Sequence, residues 1–331
     1  MRANSRFRDW AGMARLPNVP TVWSNVFTAW VLASNLRDPM SETVMDAAMP
    51  TFPRHWVSFV LALFGGTMMY MGGTVLCDAQ DVEFDRQYRP ERPIPAGRVS
   101  VKAATWVSLA LLVAGNLAMV GASLRIVVIQ LPKYKDSLVF MEGHAEGVIR
   151  LMLALYLCIV TYALIHKRSG VIGAILMGFC RALLGLTAVL TANGKIWEAV
   201  PWIMALGLYT LGISLLARGE SRGVRGGILP DLVLLALVPP AVVFLNRSLW
   251  DNESGSWIGY ILWVAAVWWF TKPLWSGAGR PARGPAVGRT LGMMPILDAM
   301  FVMPAWGVEW GLVPIACAGM AWALRRVAAA T

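Results

Sequence analysis

The chain has 331 residues, 57% of them hydrophobic and only 15% charged, with 16 tryptophans and a formal net charge of +10. A soluble domain carries about a quarter charged residues, so this composition excludes an ordinary water-soluble fold. The positive balance matches the Lys and Arg that collect in the cytoplasmic loops of membrane proteins, and nucleic acid is not expected as a partner.

The start, Met1-Arg-Ala-Asn-Ser-Arg-Phe-Arg-Asp9, is basic and lacks a short apolar core with a small-residue cleavage site. It reads as a retained segment rather than a removed signal peptide. Apolar segments then fall at roughly 18–35, 55–77, 101–121, 148–166, 170–192, 198–217, 228–246, 256–272, 287–304 and 311–327. A run of about twenty apolar residues suffices to cross a bilayer core of about 30 Å. The expected fold is all-α: a single domain over residues 1–331, a transmembrane bundle of nine or ten helices. The count turns on the last two segments, which are either two crossings or one bent helix. With the N-terminus in the cytoplasm, alternation places 20 of the 29 basic residues on the cytoplasmic side, Arg325 and Arg326 among them only if ten segments cross, as the positive-inside rule asks. An inner membrane of bacterial type is the expected location. Gly65-Gly66 and Gly72-Gly73 in the second segment predict the close approach of a neighbouring helix. Residues 122–147 read as a long mixed connection. Cys77, Cys158, Cys180 and Cys317 are widely spaced, with no CxxC pair, and read as small apolar residues in helices.

Residues 77–100 break this apolar pattern. They hold five of the nineteen acidic residues (Asp78, Asp81, Glu83, Asp85, Glu91) and four arginines. Asp78, Asp81 and Asp85 are spaced i, i+3, i+7, which puts three carboxylates on one helical face. They repel unless a cation lies among them. Mg²⁺ takes oxygen ligands, keeps several waters, and binds through a few carboxylates together with substrate phosphates. The following Arg89, Arg92, Arg98 and Lys102 supply donors for phosphate oxygens. The bland alternative is a solvated helix end whose acids and bases neutralise each other. Continuity with an apolar helix, and the stiff Arg89-Pro-Glu-Arg-Pro-Ile-Pro-Ala-Gly97 turn, favour a metal and phosphate site.

The motif Cys77-Asp78-x-x-Asp81-x-x-x-Asp85, followed by Arg92-Pro-Ile-Pro-Ala-Gly-Arg-Val-Ser100, resembles the first Asp-rich motif of the UbiA superfamily of intramembrane prenyltransferases. That motif reads Asn-Asp-x-x-Asp-x-x-x-Asp, then Arg-Pro-Leu/Ile-Pro-Ser-Gly-Arg-Ile-Ser. Arg15-Leu-Pro-Asn-Val-Pro-Thr-Val-Trp-Ser-Asn25 is similar to the family's opening helix. Tyr162-Ala-Leu-Ile-His-Lys167-Arg168 is similar to its Tyr-x-x-x-Lys-Arg segment. The resemblance implies nine helices around a central cavity and an isoprenyl group moved from its diphosphate to a lipophilic acceptor, aromatic or lipid-like. It implies Mg²⁺ as cofactor, with Asp78, Asp81 and Asp85 as the catalytic, metal-holding acids. Arg92, Arg98 and Lys167 would hold phosphate oxygens, with Tyr162 nearby, and Asn25 would line the cavity near the metals. Prenyl diphosphate, the acceptor and membrane lipid are the implied partners.

Two departures from the family pattern stand out. Cys77 replaces the leading Asn, and the second Asp motif is reduced to Ala217-Arg218-Gly219-Glu220, with Glu220 as its one acid. Glu220 is then the candidate remnant of a second metal site and Arg218 a further substrate contact. Met177-Gly-Phe-Cys-Arg181 and this reduced motif resemble a divergent branch of the superfamily. Arg181 lies inside the fifth span, where an ionisable residue is a functional candidate; it serves a substrate, or pairs with Asp298. Loss of the second motif keeps two other functions open: a carrier for a lipophilic intermediate, and an intramembrane terpene cyclase. A CDP-alcohol phosphotransferase is excluded, because its Asp-Gly-x-x-Ala-Arg pattern is missing.

Overall fold

A computed structural model of the chain describes residues 2–33, 56–130, 135–166, 169–192, 196–222, 229–246, 253–275 and 283–330. These form thirteen α-helices and no strand. In chain order they are α1 (Arg2–Met13), α2 (Val19–Ala33), α3 (Trp56–Gln80), α4 (Val82–Tyr88) and α5 (Val101–Gln130). Then come α6 (Lys135–Ile165), α7 (Gly170–Thr191), α8 (Ile196–Arg222), α9 (Leu229–Ala236) and α10 (Val238–Leu245). The last three are α11 (Glu253–Trp275), α12 (Arg283–Trp306) and α13 (Val308–Ala330). A chain this apolar forms helices because no water is available in lipid to satisfy open backbone groups. Six of these helices (α3, α5, α6, α7, α8 and α12) contain a stretch long and apolar enough to cross a membrane by length and composition. The protein is an integral membrane helix bundle.

Helix α2 is the centre of the bundle. Every residue from Val19 to Ala33 except Trp23 is buried, because α2 packs against α3, α7, α8, α12 and α13. The glycines of α3 do what their spacing predicts. A Cβ on Gly65 would meet Met119 Cγ at 2.8 Å and the Gly115 carbonyl at 3.0 Å, and one on Gly72 would meet Leu112 Cγ at 2.9 Å and the Ser108 carbonyl at 3.0 Å. Thus α3 and α5 touch nearly backbone to backbone. Gly66 faces Val22 and Val26 of α2, and Gly73 faces Ile159 of α6.

Two expectations change. The connection at 122–147 is mostly helix, since α5 runs to Gln130 and α6 begins at Lys135. The last two apolar segments form separate antiparallel helices. The chain turns at Gly307, whose φ of 107° suits a residue without Cβ. Gly311 then packs on Met303 near that turn, while Arg325 lies against Gly292. At the far end Arg325 reaches Asn18 at the start of α2, so the end of α13 returns to the same end of the bundle as Asp78.

Candidate active site

The site is built where α3 ends. The i→i−4 backbone bonds continue through Asp81 to Cys77 and through Asp85 to Asp81. The helix nevertheless breaks at Asp81, whose ψ of 2° leaves the helical range, and α4 starts one residue later. Asp78, Asp81 and Asp85 are all buried, Asp85 to within 1%. After α4 the chain folds back. Arg98 and Val99 donate backbone N–H to the Pro93 carbonyl, Ala96 donates to Arg92, and Gly97 supplies a φ of +73°, which favours glycine. This turn returns Arg92 to the aspartates.

Arg92 Nη1 donates to Asp85 Oδ2 at 2.7 Å and to Asp78 Oδ1 at 3.3 Å. Asp78 and Asp85 are therefore joined by one guanidinium. Arg15 adds a second cation, 3.6 Å from Asp78. It stands between α1 and α2 with φ 51°, the one non-glycine residue at positive φ among the described residues. Such a conformation is sparsely populated in L residues, and here it accompanies a guanidinium that reaches Asp78. Asp81 is separated from this pair and faces His166 Nε2 at 3.2 Å. His166 is held in turn by Nδ1 on the Tyr162 carbonyl at 2.8 Å and by stacking on the Tyr162 ring, centroids 4.6 Å apart.

The shared helical face thus resolves into two neighbouring groupings, Asp78/Asp85 with arginines and Asp81 with histidine. Among the described residues no three acids, histidines or cysteines close into a ready ligand set. The donor chemistry still fits a hard divalent cation. Asp85 Oδ1 is buried with no hydrogen-bond partner among the described residues, and such an atom costs free energy until something satisfies it. The recess beside it is lined by Asp78, Asp85, Arg92 and the Pro93-Ile94-Pro95 turn.

Deeper in the bundle lies a second polar constellation. Asp298 on α12 is fully buried and accepts from Ser24 Oγ, from Asn25 Nδ2 at 2.7 Å and from Trp202 Nε1 at 2.8 Å. Asn25 is thus placed on Asp298 rather than beside the motif. Arg181 does not pair with Asp298. Its Nη2 donates to Thr21 Oγ1 at 2.6 Å and meets Met294 Sδ at 3.1 Å. Arg98 is also engaged elsewhere: its Nε donates to Asp9 at 2.9 Å and its Nη2 to the Glu91 carbonyl, which ties α1 to the turn. Lys167 lies outside the described residues, as do the side chains of Arg218 and Glu220. Arg15 and His166 are the contacts at the aspartates that sequence reasoning did not assign there. The left-handed turn at Arg15 gave no sequence signal, whereas His166 adjoins a segment already singled out.

Comparison with known proteins agrees with this geometry. Residues 45–131, which include the motif's aspartates and its turn, match the UbiA prenyltransferase family. The chain is UbiA-like. Over 155 residues, 47% of each chain, it is 27% identical to the digeranylgeranylglyceryl phosphate synthase of Metallosphaera sedula. Over 44 residues, 13% of this chain and 16% of the relative, it is 52% identical to the synthase of that name from Methanoculleus marisnigri. The chain spans about half the length, or less, of these curated relatives. In fold it resembles a solved structure from work on digeranylgeranylglyceryl phosphate synthase in membranes. The TM-score is 0.56 at 16% identity, over 92% of this chain and 99% of that one. The likeness of fold to that structure thus extends well beyond the matched residues.

Proposed function

We propose that the protein is a Mg²⁺-dependent intramembrane prenyltransferase that moves an isoprenyl group from a prenyl diphosphate to a lipophilic acceptor. The observation that carries this reading is the buried Asp78/Asp85 pair, bridged by Arg92 and leaving Asp85 Oδ1 unpartnered. The UbiA family match and the prenyltransferase names of the relatives support it.

Asp78, Asp85 and Asp81 would hold Mg²⁺. When bound, the metal supplies positive charge to the diphosphate and to the pyrophosphate that leaves. Arg92 and Arg15 would turn from the aspartates to phosphate oxygens, because the fork of a guanidinium matches phosphate as well as carboxylate. The bond between the allylic carbon and the diphosphate oxygen breaks, and its electron pair leaves with pyrophosphate. The acceptor attacks the allylic cation and loses a proton. Donors fixed at the site in advance stabilise the departing charge without reorganisation, and the apolar walls keep water from the cation. Asp81 would hold His166 beside the diphosphate, with Lys167 as a further phosphate contact. Glu220 and Arg218 would complete the site from the end of α8. The motif is assigned to the cytoplasmic face of a bacterial-type inner membrane.

The test is reconstitution with Mg²⁺ and prenyl diphosphates of several lengths, with and without membrane extract as acceptor source, followed by mass spectrometry of lipid products. A prenylated product that appears only with extract supports transfer. Hydrocarbon formed without extract supports the cyclase instead. Ligand binding without any pyrophosphate release leaves the carrier and overturns the enzyme.

A further inference from the structure

Cys158 on α6 and Cys180 on α7 stand 22 positions apart in the chain, yet their sulfurs meet. Cys180 Sγ donates to Cys158 Sγ at 3.3 Å, and Cys158 Sγ donates in turn to the Leu176 carbonyl at 3.4 Å. Both are free thiols. The contact belongs to the packing of α6 on α7. Towards the end of α6, a Cβ on Gly173 would meet His166 Cα and Cβ at 3.0 Å each, so the two helices are pressed together there as well. Cys158 lies one turn before Tyr162, whose carbonyl and ring hold His166. The thiol pair and Gly173 thus bracket the segment that presents His166 to Asp81.

Depth sets the chemistry open to these thiols. Cys158 is eight residues before His166, about 12 Å along the helix. Cys180 is ten residues after Gly170, where α7 begins, about 15 Å along its own helix. Both helices contain a stretch apolar and long enough to cross a membrane, and a hydrocarbon core is about 30 Å thick. The pair therefore sits well inside the apolar layer. Both cysteines are half-buried, and their chain neighbours Leu157 and Phe179 are exposed, which sets the pair on a helix seam beside lipid. Glutathione keeps cytosolic thiols reduced, but its charges hold it in water. A lipid-soluble oxidant meets no such barrier.

We infer that Cys158 and Cys180 are an oxidation site, closing to an intramembrane disulfide that staples α6 to α7, with a lipid-soluble quinone as the oxidant. Each thiol gives up its hydrogen as a proton and an electron, and one S–S bond forms. The quinone takes the two electrons and two protons and becomes a quinol. The sulfurs have to approach by about 1 Å, within the reach of a side-chain adjustment. The bond closes the loop between positions 158 and 180, which restricts the unfolded chain and stabilises the hairpin. This inference does not depend on the transferase reading.

The test uses the full chain, reduced and reconstituted in liposomes. It is treated with decylubiquinone, whose fully substituted ring does not alkylate thiols, or with glutathione disulfide in the buffer. Thiols are then counted by alkylation in denaturant, and tryptic peptides are read by mass spectrometry. Decylubiquinone leaves only Cys77 and Cys317 alkylated and links peptide 151–167 to peptide 169–181, whereas glutathione disulfide leaves all four cysteines alkylated. The linked protein unfolds several degrees higher than the reduced protein, and tributylphosphine, a lipid-soluble reductant, reverses the shift. Cys158→Ala and Cys180→Ala each lose no further thiol to the quinone and show no shift. Four alkylated cysteines after decylubiquinone overturn the site. So does a quinone-dependent loss of thiols that persists in either variant. Equal oxidation by glutathione disulfide overturns the assignment of the pair to the apolar layer.

Discussion

Replacing Arg92 with methionine separates the two readings of the aspartate helix end. In the protein as it stands, one guanidinium bridges Asp85 at 2.7 Å and Asp78 at 3.3 Å, and the carboxylate side chains are only 1% and 10% exposed. Removing one partner of a buried pair costs about 3–5 kcal/mol. The Arg92 side chain is 20% exposed, and Arg15 remains 3.6 Å from Asp78. The expected loss is therefore lower, about 2–3 kcal/mol, or on the order of 4–8 °C in Tm. A ligand at a hundredfold excess over its Kd contributes about 2.7 kcal/mol. If Asp78 and Asp85 are metal ligands, Mg²⁺ thus recovers most of the loss, and the variant gains more from Mg²⁺ than wild type does. The assay is thermal unfolding of purified wild type and Arg92→Met in detergent, in EDTA and across a Mg²⁺ series. Equal Mg²⁺ responses, or none, would refute the argument and return the motif to a self-neutralising helix end.

Three further outcomes follow from contacts elsewhere. Gly65→Val places side-chain atoms against Met119 and the Gly115 carbonyl, and this overpacking costs about 1–3 kcal/mol, read as a lowered Tm; an unchanged Tm would mean that α3 and α5 do not pack this closely. Asp298→Leu strands the donors of Ser24, Asn25 and Trp202, about 1–3 kcal/mol for each donor left unsatisfied, and Asp298→Asn, which keeps an acceptor, loses less Tm; equal losses would count against the network. Arg98→Ala removes an exposed pair with Asp9, worth about 0–1 kcal/mol, and leaves Mg²⁺-pyrophosphate affinity unchanged; a tenfold loss would return Arg98 to the phosphate site.

Sequence reasoning succeeded where local chemistry sets the outcome. The apolar runs specified the helices because backbone groups in lipid have no other partner. The Gly65/Gly72 spacing announced a close helix approach, which the structure gives to α5. The Pro93–Gly97 turn between α4 and α5 was legible because it is written in consecutive residues, though Arg92, expected on phosphate, meets Asp85 and Asp78. Less was legible wherever distant segments compete for one side chain. Asn25 bonds Asp298, 273 positions away, and no spacing within the opening helix announces that partner. The same holds for Arg98, drawn to Asp9 across 89 positions, and for Arg325 on Asn18. The i, i+3, i+7 pattern correctly joined Asp78 and Asp85. It did not anticipate the partner of Asp81, which comes from a break in the helix at Asp81 and a histidine just beyond the end of α6.

The most direct test of the central claim is Mg²⁺-dependent pyrophosphate release from a prenyl diphosphate by the reconstituted protein, compared with Asp85→Asn. The variant keeps the shape of the side chain and an acceptor for Arg92 while removing the charge beside the unpartnered Oδ1. A metal and diphosphate site predicts release that needs Mg²⁺ in wild type and falls at least a hundredfold in a variant that still unfolds cooperatively. Release that proceeds without a divalent metal, or at an unchanged rate in Asp85→Asn, would contradict it.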